Sequence, residues 1–303
     1  MTLEQLRIFV AVAERQHMTQ AAREINLTQS AASAAIAALE ARYAIKLFDR
    51  IGRRIELTET GRTFLGEARA VLARAATAER ALGDLAGLKR GSLSLYASQT
   101  IANYWLPPFM ARFHARHPDI ALRLVTGNTE QVANATREGL ADIGFVEGAI
   151  DDPQLSIRKV EEDRLVIVAG ARHPFAGKMK LKPADLKATP WVMREPGSGT
   201  RTEFEAALSA FGVTVADLNI VLELPSNEAV RAAVEAGAGA TAISELVAAT
   251  GIRSGSLVAP DLPLPRRPFL VLHHKERYVS KAEAALLEMV GTASRGVVRK
   301  SAF

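Results

Sequence analysis

TQSAASAAIAAL, residues 28–39, decides how the chain folds. Thr28 is a good helix N-cap, because its hydroxyl can accept a hydrogen bond from a first-turn N–H that has no partner inside the helix. The helix is therefore expected to begin at Gln29. Ala32, Ile36 and Leu39 recur at helical spacing and form an inward stripe, while Gln29, Ser30 and Ser33 place small polar groups on the other side of the first turns. A face with so little bulk and so many hydrogen-bonding groups suits the DNA major groove, where Gln pairs with adenine through two bonds and Ser bonds to either kind of base. Taken alone, the same residues also fit an Ala-rich surface helix, so their neighbours decide.

Upstream, Leu3, Leu6, Val10 and Ala13 mark a first amphipathic helix, and TQAAREI, residues 19–25, reads as a second one capped by Thr19. Only Asn26, Leu27 and Thr28 separate it from the third. So tight a connection, with Asn26 able to take a left-handed backbone, is the layout of a helix-turn-helix whose later helix enters the groove. Downstream, IKLFDRIGRRIELTETG offers apolar strand candidates at Leu47-Phe48 and Ile55-Leu57 around the turn Gly52-Arg53-Arg54. That is a small β-wing carrying Lys46, Arg50, Arg53 and Arg54 toward phosphates.

LRIFVAVAERQHMTQAAREINLTQSAASAAIAALEARYAIKLFDRIGRRIELTETG, residues 6–61, resembles the winged helix-turn-helix of the LysR-type transcriptional regulators. The resemblance runs through the whole chain, whose 303 residues are also typical of that family. It implies an α/β fold class with an N-terminal winged helix-turn-helix, a long linker helix and a two-subdomain, periplasmic-binding-protein-like effector domain. It implies as well that the protein regulates transcription and is not an enzyme. Two departures stand out. Ala34 occupies a position where many members carry a basic or larger polar residue, and Tyr43-Ala44 replaces the common Leu-Gly, so no glycine ends the recognition helix. On the DNA face, Gln29 and Ser33 are expected to read base edges, with Thr28, Ser30, Arg50, Arg53 and Arg54 positioned for the backbone.

With 48% apolar residues the chain can bury more than one core. A net charge of +5 and a pI near 9.6 favour a polyanionic partner. Residues 1–58, however, hold eight Lys or Arg against six Asp or Glu, so the case for DNA rests on where the wing puts its cations. The absence of cysteine excludes disulfides, thiol redox sensing and thiolate metal sites. No apolar run approaches ~18 residues and no signal peptide is apparent, so no membrane association and a cytoplasmic location are expected.

From Thr58 to about Lys89 the chain has no proline and reads as one long helix capped by Thr58. Phe64, Ala68, Val71, Ala75, Ala78, Leu82 and Leu85 step by four and three, the a/d spacing of a coiled coil. So narrow a stripe on a helix of roughly 45 Å points to a dimerisation helix rather than to packing on its own domain. In the resembling family this helix pairs two subunits. Domains are accordingly expected at 1–58, 59–90 and 91–303.

From Gly91 the pattern changes to strands alternating with helices, which implies a mainly parallel α/β sheet. The strands are SLSLYAS, IALRLVT, ADIGFVEG, LVIVAG, WVMRE, NIVLEL, ATAIS and PFLVLHH; the helices run from Ile101 to His117, Thr129 to Glu138, Thr200 to Phe211, Asn227 to Ala236 and Lys281 to Val290. The resemblance divides this module into subdomain I, residues 91–162 and 268–303, and subdomain II, residues 163–267. The crossings are expected near Glu161-Asp163 and Pro265-Pro268.

Four places put small polar residues just before a helix: Ser98-Gln99-Thr100, Gly127-Asn128-Thr129, Gly197-Ser198-Gly199-Thr200 and Ser226-Asn227. Strand ends and helix starts converge on the cleft of an open α/β sheet, where free N–H groups favour anions. Each alone is an ordinary helix cap; the four together, in segments that line the cleft in the resembling family, form an effector site, to which Glu147 and Arg194 are added. REPGSGTR, residues 194–201, resembles members that regulate sulfur assimilation or carbon fixation, and no Gly-Lys-Ser/Thr follows its glycines as a P-loop requires.

His273-His274 lacks a carboxylate or cysteine at ligand spacing, His114 and His117 flank a helix end where imidazole meets the dipole favourably, and Ser98 and Ser198 lack a nucleophile elbow, so neither metal nor catalytic chemistry is read here. No cofactor is expected. The partners implied are double-stranded promoter DNA, a small anionic metabolite and further copies of the chain in a homodimer or homotetramer, with RNA polymerase left open. The competing reading, a solute-binding or catalytic module with an incidental head, leaves the winged head and heptad linker without a purpose.

Overall fold

The computed structural model describes residues 1–51, 54–85 and 91–297. They divide into two compact units, a head that includes the linker helix and a larger unit beyond it. In the head, helices α1 (Leu3–Arg15), α2 (Met18–Glu24) and α3 (Gln29–Tyr43) precede an antiparallel ribbon, β1 (Phe48–Ile51) and β2 (Arg54–Leu57), and then α4 (Glu59–Leu85). Thr28 caps α3, its hydroxyl accepting from Ala31 N at 3.2 Å, and Ala32, Ile36 and Leu39 are buried as their spacing requires. Asn26 takes the left-handed backbone, φ +57°.

Two expectations for the head need correction, and one departure noted in the sequence is resolved. Helix α2 starts one residue early: His17, not Thr19, caps it, with the imidazole Nδ1 accepting from Gln20 N. Thr19 lies inside the first turn, one step too late to cap. Helix α3 keeps a left-handed end without glycine, since Ala44 adopts φ +51° and ψ +41°. A Cβ there costs about 1 kcal/mol. Glu40 helps hold the turn, its carboxylate accepting from the N–H groups of Leu47 and Phe48 at 2.8 and 3.2 Å.

The second correction concerns the heptad stripe, which is not free along its whole length. Ala68 is fully buried in the head core and Phe64 packs on Phe9 with ring centroids 4.9 Å apart, so these first positions serve their own domain. Farther along, Val71, Leu82 and Leu85 are 42%, 67% and 83% exposed. A helix that leaves its domain changes what its apolar face must meet, a change that spacing alone does not record.

The larger unit contains β3 (Gly91–Ser98), a π-helical turn (Ile101–Trp105), α5 (Pro107–Arg116), β4 (Ile120–Gly127), α6 (Thr129–Glu138), β5 (Ile143–Glu147) and β6 (Leu155–Gly170). After it come α7 (Pro183–Lys187), β7 (Pro190–Arg194), α8 (Gly199–Ser209), β8 (Asn219–Leu224), α9 (Asn227–Glu235), β9 (Ala240–Ser244), α10 (Glu245–Ser254), β10 (Leu257–Val258), β11 (Arg266–His274) and α11 (Lys281–Val297). The strand order is β4-β3-β5-β11-β6-β9-β7-β8, with β10 on β6. Parallel trios β4-β3-β5 and β9-β7-β8 form the two ends. Between them the long strands β6 and β11 pair antiparallel from Leu155↔His274 to Arg164↔Arg266, with a bulge between Phe269 and Leu270. Each end packs its own apolar core, one around Leu95, Phe113 and Phe145 and the other around Trp191, Phe204 and Leu208.

The helix expected over 101–117 is broken in two. Pro107 and Pro108 supply no N–H, so the chain makes a π turn to Trp105 and restarts with Pro107 at the N-terminus of α5. Helix α10, not anticipated from the sequence, is capped by Ser244, whose hydroxyl accepts from Leu246 N at 3.1 Å, and stopped by Gly255 at φ +77°. Among the described residues, no helix is long and apolar enough to cross a membrane.

Candidate functional site

On the head, Gln29 and Ser30 are exposed and Ser33 is half-buried, with Ala31, Ala34, Ala37 and Ala38 exposed beside them. The result is a low, polar-and-methyl surface at the start of α3. Thr28 spends its hydroxyl on the cap and lies 3.0 Å from Ser30 Oγ. Arg50 and Arg54 belong to β1 and β2, opposite Ile55 and Ile51. Their side chains, and all of Arg53, lie outside the described residues.

In the larger unit all four polar stretches converge where β3, β5 and β7 end. The carboxyl of Glu147, at the last position of β5, accepts from the hydroxyls of Ser98 and Thr100, the latter at 3.3 Å. Thr100 in turn accepts from Asn227 Nδ2 at 3.1 Å, and Asn227 Oδ1 accepts from Arg194. Gln99 adds a clasp, accepting from Asn227 N at 2.9 Å and donating to the Pro225 carbonyl at 2.8 Å. Thr129 donates to the Glu147 carbonyl at 3.2 Å. Gly199, the first residue of α8, lies so close that a Cβ would sit 2.4 Å from the Glu147 carbonyl and 2.5 Å from Thr129 Oγ1. Only glycine permits that approach.

Asn128 has mainly a capping task, its side-chain oxygen accepting from Gln131 N at 2.9 Å at the start of α6. Ser198 is the opposite case. It precedes α8 without capping it, is 1% exposed, and its hydroxyl has no hydrogen-bond partner among the described residues. A buried hydroxyl without a partner is costly and marks a place where a ligand atom would fit.

The charges are arranged in pairs. Arg194 is 3% exposed and gives Nε and Nη2 to the two carboxylate oxygens of Glu195, each at 2.8 Å. Arg267, on β11, gives Nε and Nη2 to Asp163 at 2.9 and 2.7 Å and Nη1 to Thr200 at 3.0 Å. Its Nη1 lies 3.8 Å from Glu147. Ser244 completes Asp163 at 2.8 Å. Burial pushes the Glu147 carboxyl above the usual carboxylate range; Arg267 and Arg194 pull it back and Asp163 pushes it further.

Sequence reading missed Arg267 and Asp163, although it placed the strand crossings beside them. The available signal was a cation directly before the apolar run PFLVL of β11. Arg201, the last residue of the same REPGSGTR stretch as Arg194, donates to Glu205 and to the Arg194 carbonyl at 2.7 and 2.9 Å, and also pairs with Glu223. Burial and the neighbouring Arg158 and His274 hold the His273 imidazole below its usual range. Among the described residues no three His, Asp or Glu are grouped to hold a metal ion.

Two family models match the chain: "Bacterial regulatory helix-turn-helix protein, lysR family" over residues 3–62 and "LysR substrate binding domain" over residues 86–295. The HTH-type transcriptional regulator YeiE of Escherichia coli K12 is 34% identical over 296 residues, 97% of this chain and 98% of that protein. The RuBisCO operon transcriptional regulator of Allochromatium vinosum is 33% identical over 291 residues, 95% of each chain. The crystal structure of full-length CbnR complexed with its target DNA superimposes with a TM-score of 0.70 at 24% identity, over 97% of this chain and 100% of that one. The low polar face of α3 and the closed polar cleft between two parallel trios thus lie within the two matched modules, and the chain belongs to the LysR family of DNA-binding transcriptional regulators.

Proposed function

We propose that this regulator reads promoter DNA with α3 and the wing, and is switched by a small anionic metabolite in the cleft of its larger unit. The cleft observation carries the second half. Ser98, Thr100 and Thr129 come from one end of the sheet and Ser198, Gly199, Thr200 and Asn227 from the other, and Ser198 still lacks a partner. An anion in contact with both ends has a binding free energy that depends on how far they have closed, which is what a ligand needs to shift a conformational equilibrium. The exposed Val71, Leu82 and Leu85 on α4 support pairing of two chains, in a homodimer or a homotetramer. A cytoplasmic location goes with work on promoter DNA.

The test has two arms. Gln29→Ala removes the side chain proposed to pair with adenine, and should relax a selected-site profile at one position at a cost of about 1–3 kcal/mol. An unchanged profile would remove Gln29 from base reading. Thr100→Val keeps the shape and deletes the hydroxyl that joins Glu147 to Asn227. In a thermal-shift screen of sulfur oxyanions, sugar phosphates and carboxylates, the anion that stabilises wild type should bind this variant about 1–3 kcal/mol more weakly. Equal affinity would place the effector elsewhere.

A further inference from the structure

We propose that the cleft takes its anion together with a proton held on Glu147, so that the effector is sensed as an oxyanion and a hydrogen ion bound as a pair. The inference rests on the anion-binding reading of the cleft and adds its protonation requirement.

The Glu147 residue is 2% exposed. At its carboxyl oxygens it meets the hydroxyl of Ser98 from β3 and, just beyond the strand end, that of Thr100; Thr129 of α6 and Gly199 of α8 pack against its backbone carbonyl instead. The charged groups that face it are Arg267 from β11, Asp163 from β6 and Arg194 from β7. Arg194 is already matched by Glu195 through two bonds. Arg267 gives two N–H groups to Asp163 and one to Thr200, and comes no nearer to Glu147 than 3.8 Å. One guanidinium therefore stands between two buried carboxyls, and one of them is in excess. Asp163 has the guanidinium and the Ser244 hydroxyl; Glu147 has only hydroxyls at bonding distance. A buried charge without a matched partner is relieved by protonation, and Glu147 is the group placed to take the proton.

An incoming anion sharpens this imbalance. With Glu147 ionised it would meet a second negative charge at contact distance in a dry site, and the pair would repel. With Glu147 protonated, the carboxyl becomes an O–H donor, and the Ser98 and Thr100 hydroxyls are free to turn from Glu147 to the anion. The unpartnered Ser198 hydroxyl and the first-turn N–H groups of α8 complete a set of donors. One proton, taken from solvent wherever Glu147 was ionised, balances one unit of the anion's charge. Affinity should then be full where Glu147 holds its proton in the free protein and fall as pH rises through its titration, by up to about tenfold per pH unit.

Sulfate is a suitable probe, since its own charge is constant between about pH 5 and pH 9. Calorimetric titration of the full chain with sulfate, in buffers of different ionisation enthalpy across that range, reads affinity and proton uptake together. The expected result is falling affinity with rising pH and net proton uptake in wild type, and a pH-independent affinity without uptake in Glu147→Gln, which carries a permanently neutral donor. Infrared difference spectra of the unliganded proteins should show a protonated-carboxyl band in wild type that is missing from the variant. A wild-type affinity that does not change with pH, or a pH slope retained in Glu147→Gln, overturns the proton pairing and leaves the anion cleft standing. If neither protein binds sulfate at any pH, the anion cleft is overturned and this inference with it; if only wild type binds, a neutral donor does not replace the protonated carboxyl and the inference falls alone. Absence of the carboxyl band at acidic pH overturns the inference whatever the ligand does.

Discussion

Arg267→Ala is expected to destabilise the larger unit by about 3–5 kcal/mol, because it leaves the buried Asp163 facing Glu147 with no cation between them. Arg267 is 1% exposed and bonds to Asp163 and Thr200, which belong to β6 and α8. Its value should not be mistaken for the worth of the ion pair. Taking a guanidinium and a carboxylate out of water costs nearly as much as their attraction returns, so most of the loss is the penalty of the orphaned partner. The double variant Arg267→Met with Asp163→Leu, which removes both charges and keeps the bulk, should therefore recover a large part of the loss. Urea unfolding of the larger unit measures both. A single-variant effect below ~1 kcal/mol, or a double variant worse than the single, would show that the cluster does not support the fold.

Phe9→Ala should be comparably severe in the head, also about 3–5 kcal/mol. The ring is fully buried and lies 5.5 Å from Phe48 and 4.9 Å from Phe64, centroid to centroid, so one side chain ties α1 to β1 and α4. Truncation removes its apolar contacts and opens a cavity that three different elements would have to move to fill. A small domain holds only about 5–15 kcal/mol in total, so the variant's head should be partly unfolded at growth temperature. Calorimetry of the full chain should show the head transition lowered or lost while that of the larger unit persists, with promoter binding lost in parallel. A head transition at its wild-type position would refute this account of the core.

The head was the most legible part of the sequence because its signals are local. A capping threonine, a stripe at helical spacing and an asparagine in a tight turn each act over a few residues, and all agree in the structure. The α/β alternation was readable for the same reason. The misreadings lie where a non-local partner decides. Phe64 and Ala68 carry the right spacing for a coiled coil, yet Phe9 and the head core claim them first. The helix drawn through Pro107-Pro108 ignored two missing donors that only a change of helix type accommodates. In the cleft, the hydroxyl and glycine positions were visible because helix starts advertise themselves. Arg267 and Asp163 were not: nothing adjacent in sequence indicates that residues 104 apart share a bond.

The strands β6 and β11 run side by side through the middle of the larger unit, with Pro268 and the bulge after Phe269 interrupting their ladder. Proline offers no N–H to a ladder and a bulge weakens it locally, so the ribbon is torsionally softest there. That makes it a torsion bar with its soft point beside Arg267. Any rotation of the two ends about such a bar leaves atoms near the axis almost in place and sweeps the distant helices through the largest arcs. The cleft residues sit near the axis, since Arg267 touches Thr200 directly. For any such rotation displacement grows with distance from the ribbon, so a sub-ångström adjustment beside Arg267 corresponds to a larger one at the outer helices.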